Sequence, residues 1–176
     1  VRSQAAVRLD IRLTPEAYRA GSGTPILVTI KLYDAPGRPA NGDGLQVTAS
    51  QGLVDPPEQL EIGVYRTTWR PADHFAGKQK ALLIVTIPGG EKILKSDRAL
   101  RLVADRPAVI EPIEVERSLV ADGRSKRQWR LRVLDQFGNP VSDARVRVQA
   151  GGTVGPVHYH EIDGEYRFDY TAPLSY

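Results

Sequence analysis

The chain repeats a set of turn residues at a spacing of 101 positions. Residues 34–39, Asp-Ala-Pro-Gly-Arg-Pro, return at 135–140 as Asp-Gln-Phe-Gly-Asn-Pro. Residues 63–66, Gly-Val-Tyr-Arg, return at 164–167 as Gly-Glu-Tyr-Arg. A period of about 100 residues is too long for a small solenoid repeat and matches the size of one β-sandwich domain. The sequence therefore predicts two domains of one type.

Composition narrows the class of protein. The 176 residues are 41% hydrophobic, which is ordinary for a globular chain, and they include no cysteine, so neither disulfides nor thiolate metal sites are expected. The longest apolar run, residues 81–87, is far shorter than the roughly 20 residues of a membrane span. The net charge of +3 is too small to indicate a nucleic-acid-binding domain. We therefore expect no nucleic-acid partner and no membrane span in this segment.

Short segments of alternating apolar and polar residues, separated by glycine and proline, run through the first copy. Apolar residues recur at every second position, as in a half-buried β-strand, and no helical period extends over a dozen residues. The fold class predicted is all-β, with tandem immunoglobulin-like β-sandwiches. The strands predicted in the first copy are 7–13, 26–33, 45–49, 64–69, 80–87, 93–94 and 99–103.

The second copy shows the same alternation but stops early. Its predicted strands include Trp129 to Val133, Val146 to Ala150 and Tyr166 to Tyr170, and nothing corresponds to residues 80–103. We predict domains at 1–105 and 109–176, joined by a short linker at 106–108, with the second domain lacking its last two or three strands.

Three explanations for the shortened copy are open. The first, which we favour, is that the sequence is a fragment of a longer chain. Alternatively, the remaining strands are disordered, or a partner donates a strand. Separately, a chain that begins at Val1 without an initiator methionine is expected to be processed or a piece of something longer.

The repeated residues have the chemistry of turns. Aspartate at a strand end accepts hydrogen bonds from turn N–H groups, glycine adopts positive φ, and proline stiffens the start of the next strand. We favour this structural role strongly over calcium ligation. The residues assigned to these turns are Asp34, Gly37, Pro39, Asp135, Gly138, Asn139, Pro140 and Gly164.

The motif of the second copy resembles the bacterial immunoglobulin-like domains of invasin and intimin type adhesins. The resemblance rests on Ala-Asp-Gly at 121–123, Asp-x-x-Gly-Asn-Pro-Val at 135–141, Ala-x-Val-x-Val at 144–148 and Asp-Gly at 163–164, and it covers residues 109–173. The first copy is a weaker match, with Arg38 where the family usually has asparagine. The resemblance implies non-enzymatic modules, stacked as rigid stalks that hold a binding tip away from the outer membrane.

One local pattern has the chemistry of a metal site. His158 and His160 share one face of a strand, and with Glu161 or Asp163 they would offer ligands to a divalent metal. Two solvated histidines beside a turn explain the pattern better, so we predict no metal and no cofactor. No serine lies in a nucleophile-elbow pattern, and no carboxylate pair is placed by a motif, so we predict no enzyme.

Two further surface features are candidates for binding. A basic strip would form from the arginines of the second copy, yet ten acidic residues between 107 and 176 favour an ordinary solvated face. Three tyrosines would form a sugar-binding platform if they were exposed together. The strip comprises Arg124, Lys126, Arg127, Arg130, Arg132, Arg145 and Arg147, and the platform Tyr18, Tyr33 and Tyr159.

The function predicted is a structural or adhesion module that spaces or presents a binding region on a bacterial surface or secreted protein. Its location would be extracellular or at the cell surface, facing the outer membrane or periplasm. Its partners would be further immunoglobulin-like domains of the same chain, another protein or a surface polysaccharide. The alternatives are a carbohydrate-binding module of an extracellular enzyme and a subunit of an envelope or fibre assembly that docks by its sheet edges.

Overall fold

The computed structural model describes residues 5–89, 92–113 and 118–175. The chain divides into two compact units, Val1–Val103 and Ala104–Tyr176, which we call unit 1 and unit 2. In the described ranges every regular element is a strand, and no helix there is long and apolar enough to cross a membrane.

Unit 1 is built from two sheets. Its strands are β1 (Arg8–Thr14), β2 (Ala17–Arg19), β3 (Ile26–Tyr33), β4 (Gln46–Ala49), β5 (Leu53–Val54), β6 (Glu58–Glu61), β7 (Val64–Arg70), β8 (Lys80–Gly89) and β9 (Lys92–Val103). One sheet has the order β1-β3-β7-β5, with β6 also paired to β7, and the other has the order β2-β9-β8-β4. All pairs are antiparallel except β2 with β9, which is parallel.

The core of unit 1 lies between the two sheets. On β3 the side chains of Ile26, Val28, Ile30 and Leu32 are each 0% exposed, while the residues between them are half-buried or exposed. On β8 the same alternation buries Ala81, Leu83, Val85 and Ile87. Because alternate side chains of a strand point to opposite faces, each sheet turns one apolar face to the other.

Unit 2 contains one sheet in its described part. Its strands are β10 (Val109–Ile113), β11 (Lys126–Leu134), β12 (Thr153–Val154), β13 (His158–His160) and β14 (Glu165–Thr171). The order is β10-β11-β14-β12, with β13 also paired to β14, and all pairs are antiparallel. This sheet reproduces the β1-β3-β7 sheet of unit 1.

The repeat extends to the strand register. Ile26 pairs with Trp69 in unit 1, and Arg127 pairs with Tyr170 in unit 2, so both partners move by the same 101 residues. The edge pairs obey the same offset, since β1 and β10 lie in the same register against β3 and β11. A single register keeps the same side chains on the inner face of both sheets.

The predicted strand at Val146 to Ala150 is wrong. Its counterpart β4 forms a ladder with β8, from Gln46 opposite Thr86 to Ala49 opposite Leu83. No described strand of unit 2 corresponds to β8, so residues 144–150 have no partner for a ladder and form no strand. Residues 118–120 likewise form no strand, although their counterpart β2 pairs with β9.

Burial of side chains on the inner face also differs between the units, because no described strand of unit 2 corresponds to β8 or β9. Both tryptophans fall on the apolar phase of their strands, which predicts that Trp69 and Trp129 are core residues, and Trp69 is 0% exposed. Trp129, predicted to be a core residue as well, is only half-buried. Ile110 is 64% exposed, whereas Leu9, at the equivalent position of unit 1, is 8% exposed. The inner face of unit 2 is therefore covered only in part.

Other strand boundaries also departed from prediction. Strand β9 is continuous from Lys92 to Val103 because it pairs with β8 over its whole length, across the polar residues that suggested a break. The short strands β2, β5, β6 and β12 were not predicted. Two to four residues are too few for alternation to be recognised.

The junction between the units follows Val103. The predicted linker, residues 106–108, lies in unit 2, where the Ala108 N–H donates to the Leu134 carbonyl oxygen at 2.8 Å. The alternation of Ile113 and Val115 with Glu114 and Glu116 also predicts a strand, and its positions after Ile113 lie outside the described residues.

Candidate functional site

The repeated residues meet at the turn that follows β3 in unit 1 and β11 in unit 2. Proline closes each turn in the same way: Pro39 forms a bridge with Tyr33, and Pro140 forms a bridge with Leu134. We call these two turns the aspartate turns. Each contains a buried aspartate, a glycine with positive φ and the proline.

In unit 1 the aspartate turn is centred on Asp34, which is 4% exposed. Its carboxylate accepts the Arg38 backbone N–H at 2.7 Å and the Arg38 Nε–H at 3.2 Å. The Gly37 N–H donates to the Asp34 carbonyl oxygen at 2.9 Å, with φ of +86° at Gly37. The carboxylate of Asp34 is therefore the hydrogen-bond acceptor for a backbone N–H of its own turn, in place of water.

In unit 2 the Asp135 carboxylate makes more hydrogen bonds. It accepts the backbone N–H of Phe137 at 2.9 Å and of Asn139 at 2.8 Å, and the Asn139 Nδ2–H at 2.9 Å. It also accepts the N–H of Asp105 at 2.9 Å, which ties the first residues of unit 2 to the turn. Asn139, at 1% exposed, is as deeply buried as Asp135, at 2%.

These bonds shift the pKa of Asp135. Burial by itself would raise the pKa of the carboxyl. The hydrogen bonds from the side chain and N–H of Asn139, and from the N–H groups of Asp105 and Phe137, outweigh burial and lower the pKa below its ordinary value. The buried group is therefore a carboxylate at neutral pH.

The second repeated glycine packs against the proline of each aspartate turn. At Gly63, φ is +77°, and a Cβ would lie 2.9 Å from the Leu32 carbonyl oxygen and 2.9 Å from the Pro39 Cβ. At Gly164, φ is +66°, and a Cβ would lie 3.2 Å from the Pro140 Cβ. These distances explain why the distant glycine repeats together with the proline.

The repeated tyrosine anchors the chain that leaves each turn. The Tyr166 hydroxyl donates to the Val141 carbonyl oxygen at 2.8 Å and accepts the Ala144 N–H at 2.9 Å. The Tyr65 hydroxyl accepts the Gly42 N–H at 3.0 Å. Alternation predicted that these rings face the core but not that their hydroxyls bond the loop. The one feature of the sequence that singled out these tyrosines was their recurrence 101 residues apart.

The aspartate turns are arranged to hold backbone. Their carboxylates accept N–H groups of the same turn, so few lone pairs face outward for a calcium ion. Within residues 5–89, 92–113 and 118–175, no group of three or more histidine, cysteine, aspartate or glutamate side chains is placed to hold a metal ion. The turns therefore have the chemistry of structural sites.

The histidine pair lies on β13, which pairs with β14. His158 is opposite Arg167, and His160 is opposite Glu165. The His160 Nδ1 lies 3.1 Å from an Asp163 oxygen, and Arg167 also pairs with Asp163. A guanidinium already bound to the nearby carboxylate competes with any cation there.

The arginines of the predicted basic strip are not all on an open surface. Arg130 and Arg132 each lie 3.6 Å from the Glu165 carboxylate, and Arg167 lies 3.2 Å from it. The Glu165 side chain is only 5% exposed. Three guanidiniums thus surround one buried carboxylate, which balances part of the strip's charge.

The three tyrosines proposed as a sugar platform are not exposed together. Tyr18 is 4% exposed and packs edge-on against Phe75. Its hydroxyl donates to Asp73 at 2.7 Å, and burial, together with this bond and charge, raises the pKa of Tyr18 to about 12. Tyr33 lies under the Arg8 guanidinium at 4.3 Å. Tyr159, in unit 2, packs against Tyr166 with 5.0 Å between ring centroids.

Comparison with solved structures gives two strong likenesses, both to bacterial proteins. Invasin, described as a bacterial integrin-binding protein, superposes with a TM-score of 0.67 at 16% identity over 98% of this chain and 36% of that chain. InvD of Yersinia pseudotuberculosis gives a TM-score of 0.67 at 14% identity over 93% of this chain and 49% of that chain.

At these identities the likeness concerns the fold. The predicted resemblance to invasin-type immunoglobulin-like domains is confirmed at that level, and so is the all-β sandwich class. This chain spans about a third of the invasin structure and half of the InvD structure. No protein-family model matches the sequence, and a search of curated proteins finds no match.

Replacing Gly63 by alanine tests the packing of glycine against proline. Gly63→Ala and Gly37→Ala both place a side chain at positive φ, but a Cβ at Gly37 would meet nothing within 4 Å. Both should lower the free energy of unfolding of unit 1 by about 1 kcal/mol from φ alone. Gly63→Ala should cost about 1–3 kcal/mol more. Urea unfolding measures both, and equal losses would contradict the packing.

The acid stability of unit 2 tests the Asp135 bonds. The pKa of Asp135 is lower in the folded state than in the unfolded state, so its carboxylate stabilises the fold of unit 2. This contribution to the unfolding free energy is complete above the unfolded-state pKa of about 3.9 and is lost as the pH falls through the folded-state pKa. Asp135→Asn should lower stability at pH 7 by about 1–3 kcal/mol and flatten the loss below about pH 5.

Hydrogen exchange of the β11 and β14 amides reports the stability of unit 2. Asp169→Asn is the control, because it removes the same charge from an exposed position in the same sheet. Its pH profile should follow that of the unsubstituted chain. A profile for Asp135→Asn that also runs parallel to the unsubstituted chain would rule out the role of the buried carboxylate.

Proposed function

We propose that the chain is a non-enzymatic, adhesion-type structural module that spaces or presents a binding region on a bacterial surface or secreted protein. The observation that carries this proposal is the fold of the two units, which invasin and InvD of Yersinia pseudotuberculosis share over more than nine tenths of the chain. Integrin binding is described for invasin itself.

The use of polar residues within the chain supports this proposal. The most deeply buried polar side chains are Asp34, Thr67, Asp135, Asn139 and Glu165. Asp34, Asp135 and Asn139 are held in the aspartate turns, and Glu165 neutralises arginines on the sheet. Thr67 donates to the Asp55 carbonyl oxygen. These groups stabilise backbone and strands, as expected of a module whose task is to remain folded.

A spacer on a cell surface has to resist pulling. In unit 1, β1, β3 and β7 form continuous antiparallel ladders. In the facing sheet, β8 and β9 are paired along the whole length of β8. Many backbone bonds and an interlocked core must break together before the unit extends. We therefore expect unit 1 to unfold cooperatively under load, at a rate set by its unfolding barrier.

Single-molecule force spectroscopy of the whole chain tests this proposal. Unit 1 should open in one step and release about 350 Å of contour length. The comparison variant is Trp69→Ala. Trp69 is fully buried, and its Nε1–H donates to the Gln51 carbonyl oxygen. Its loss should lower the unfolding force of unit 1 but leave the length of the step unchanged. Gradual extension without a step would contradict the proposal that unit 1 resists force as a folded unit.

A further inference from the structure

The outer face of the β1-β3-β7 sheet of unit 1 carries cations that have no acidic partner. Because alternate side chains of a strand point to opposite faces, the residues between the buried ones share this outer face. There Arg12, Lys31 and Arg66 are exposed, and none of them forms an ion pair with another residue of the described ranges. We call this surface the cationic face and define it by Arg12, Thr29, Lys31 and Arg66.

The strand register brings these side chains together. Arg12 is opposite Thr29, and Thr29 is opposite Arg66, so the three residues form one row across the sheet. Arg12 and Arg66 are two strand spacings apart, which is about 10 Å. Lys31 lies two positions further along β3 and is a diagonal neighbour of both arginines, at about 7–8 Å. Three positive charges therefore surround the half-buried Thr29.

Two carboxylates on the same face do not bind these cations. Asp10 is opposite Lys31 but pairs with Arg8 at 3.6 Å. Glu58 is opposite Arg66, and in the part of the chain that the structure describes the two form no ion pair. Exposed charges that are not in contact are screened by salt. The charge of the cationic face is therefore not neutralised by a bonded carboxylate.

Unit 2 has the neutralised form of the same surface. At its equivalent positions, 101 residues further on, three arginines lie 3.2–3.6 Å from the Glu165 carboxylate, whose side chain is only 5% exposed. The position equivalent to Glu165 in unit 1 is Val64, which is opposite Lys31 and carries no charge. The cations of this sheet face thus have an internal counter-ion in unit 2, whereas those of unit 1 remain open to an external anion.

Hydroxyl groups accompany the cations. Thr29 lies at the centre of the cationic face, and Thr14 and Thr68 lie in the next row, on either side of Leu27. Among the described residues, none of these three hydroxyls has a hydrogen-bond partner. Each hydroxyl donates one hydrogen bond and accepts others. A ligand that matches this surface therefore carries hydroxyl groups as well as negative charges.

We propose that the cationic face of unit 1 binds an acidic polysaccharide. Carboxylate or sulfate groups of the sugar chain pair with Arg12, Lys31 and Arg66, and the guanidinium groups hold them in bidentate geometry. Hydroxyls of the sugar chain bond Thr29 and the threonines of the next row. The proposal goes beyond the structural function proposed above, because it assigns a ligand to a surface of unit 1 that the stability of the fold does not require.

Two other classes of polyanion match the face less well. An acidic polypeptide that adds as a strand requires unpaired backbone, and the backbone of β3 is paired on both sides. An anionic membrane surface is held by apolar side chains as well as by cations. On the described strands β1, β3 and β7, Leu27, at 38%, is the one large apolar side chain that is exposed. The face therefore favours a hydrated polymer rich in hydroxyl groups.

Titration of the whole chain with polygalacturonate, followed by amide chemical shifts, tests the proposal. The shifts should concentrate in β1, β3 and β7. Replacing Arg12, Lys31 and Arg66 together by glutamine should weaken binding by about tenfold or more, because three charged contacts are lost. Uncharged dextran should not bind. Salt at about 1 M, where the Debye length is about 3 Å, should abolish the binding of polygalacturonate.

The matched control removes three charges from the other sheet of unit 1. Lys80, Lys95 and Arg101 are exposed on β8 and β9, and the register separates Lys95 from the other two. Replacing these three residues by glutamine lowers the net charge by the same amount as the first variant. Because these charges lie on a different face and do not form a cluster, the affinity for polygalacturonate should stay nearly unchanged.

A second pair of variants tests the role of the missing counter-ion. Val64→Glu gives the cationic face the carboxylate that unit 2 has at the equivalent position, and it should weaken binding by a similar factor because it pairs with Lys31 and Arg66. Val64→Gln, which is similar in size but uncharged, should keep the affinity. Unchanged hydrogen exchange of the β3 amides shows that each variant is folded.

Four results would overturn the proposal. They are no binding of polygalacturonate or dextran sulfate to the unsubstituted chain, equal losses in the triple variant and its control, equal affinities of Val64→Glu and Val64→Gln, and tighter binding of polyglutamate or phosphatidylglycerol vesicles than of polygalacturonate at equal charge. The last result would favour an acidic polypeptide or a membrane surface. None of the four bears on the unfolding step of unit 1, so the binding proposal and the proposed structural function fail separately.

Discussion

The β1-β3-β7 sheet of unit 1 and the β10-β11-β14 sheet of unit 2 each have an apolar face that must be covered by a second layer. The rest of the structure depends on how that face is covered. Burying one leucine- or isoleucine-sized side chain stabilises a fold by about 1.5–3 kcal/mol, and β3 alone turns four such side chains inward. In unit 1 the β2-β9-β8-β4 sheet covers this face. In unit 2 the same face, in the same register, is covered in part, for example where Val141 and Val146 pack into the cluster that contains Val133 and Tyr166.

The aspartate turns are independent of the second layer. Asp135, Asn139 and the Tyr166 hydroxyl complete their bonds in unit 2, where the described residues contain no counterpart of β8 or β9. Their partners lie within a few residues, on the neighbouring β14, or, in the case of Asp105, at the start of unit 2. A turn of this kind forms from local sequence and one adjacent strand, whereas β4 requires a partner from the other sheet. The repeat therefore preserves turns and register in both units, but not the sandwich.

This distinction explains what sequence could predict. Strands β3 and β7, with clear alternation of period two, lie close to their predicted bounds, and the fold class and its adhesin-type likeness are confirmed. The strand predicted at residues 146–150 was wrong, because alternation records which side chains are apolar and not whether a partner strand is present. The hydroxyl bonds of Tyr65 and Tyr166 were beyond prediction for a related reason, since they join loop atoms about 22 residues away in sequence.

The central claim is that unit 2 has the inner face of a sandwich without its full cover. The measurement that tests it most directly is the loss of unfolding free energy for Ile30→Ala and Leu131→Ala, two equivalent positions, read by hydrogen exchange of β3 and β11. Ile30 is 0% exposed and should cost about 2–5 kcal/mol. Half-buried Leu131 should cost about 1 kcal/mol. Equal losses at the two positions would contradict the claim.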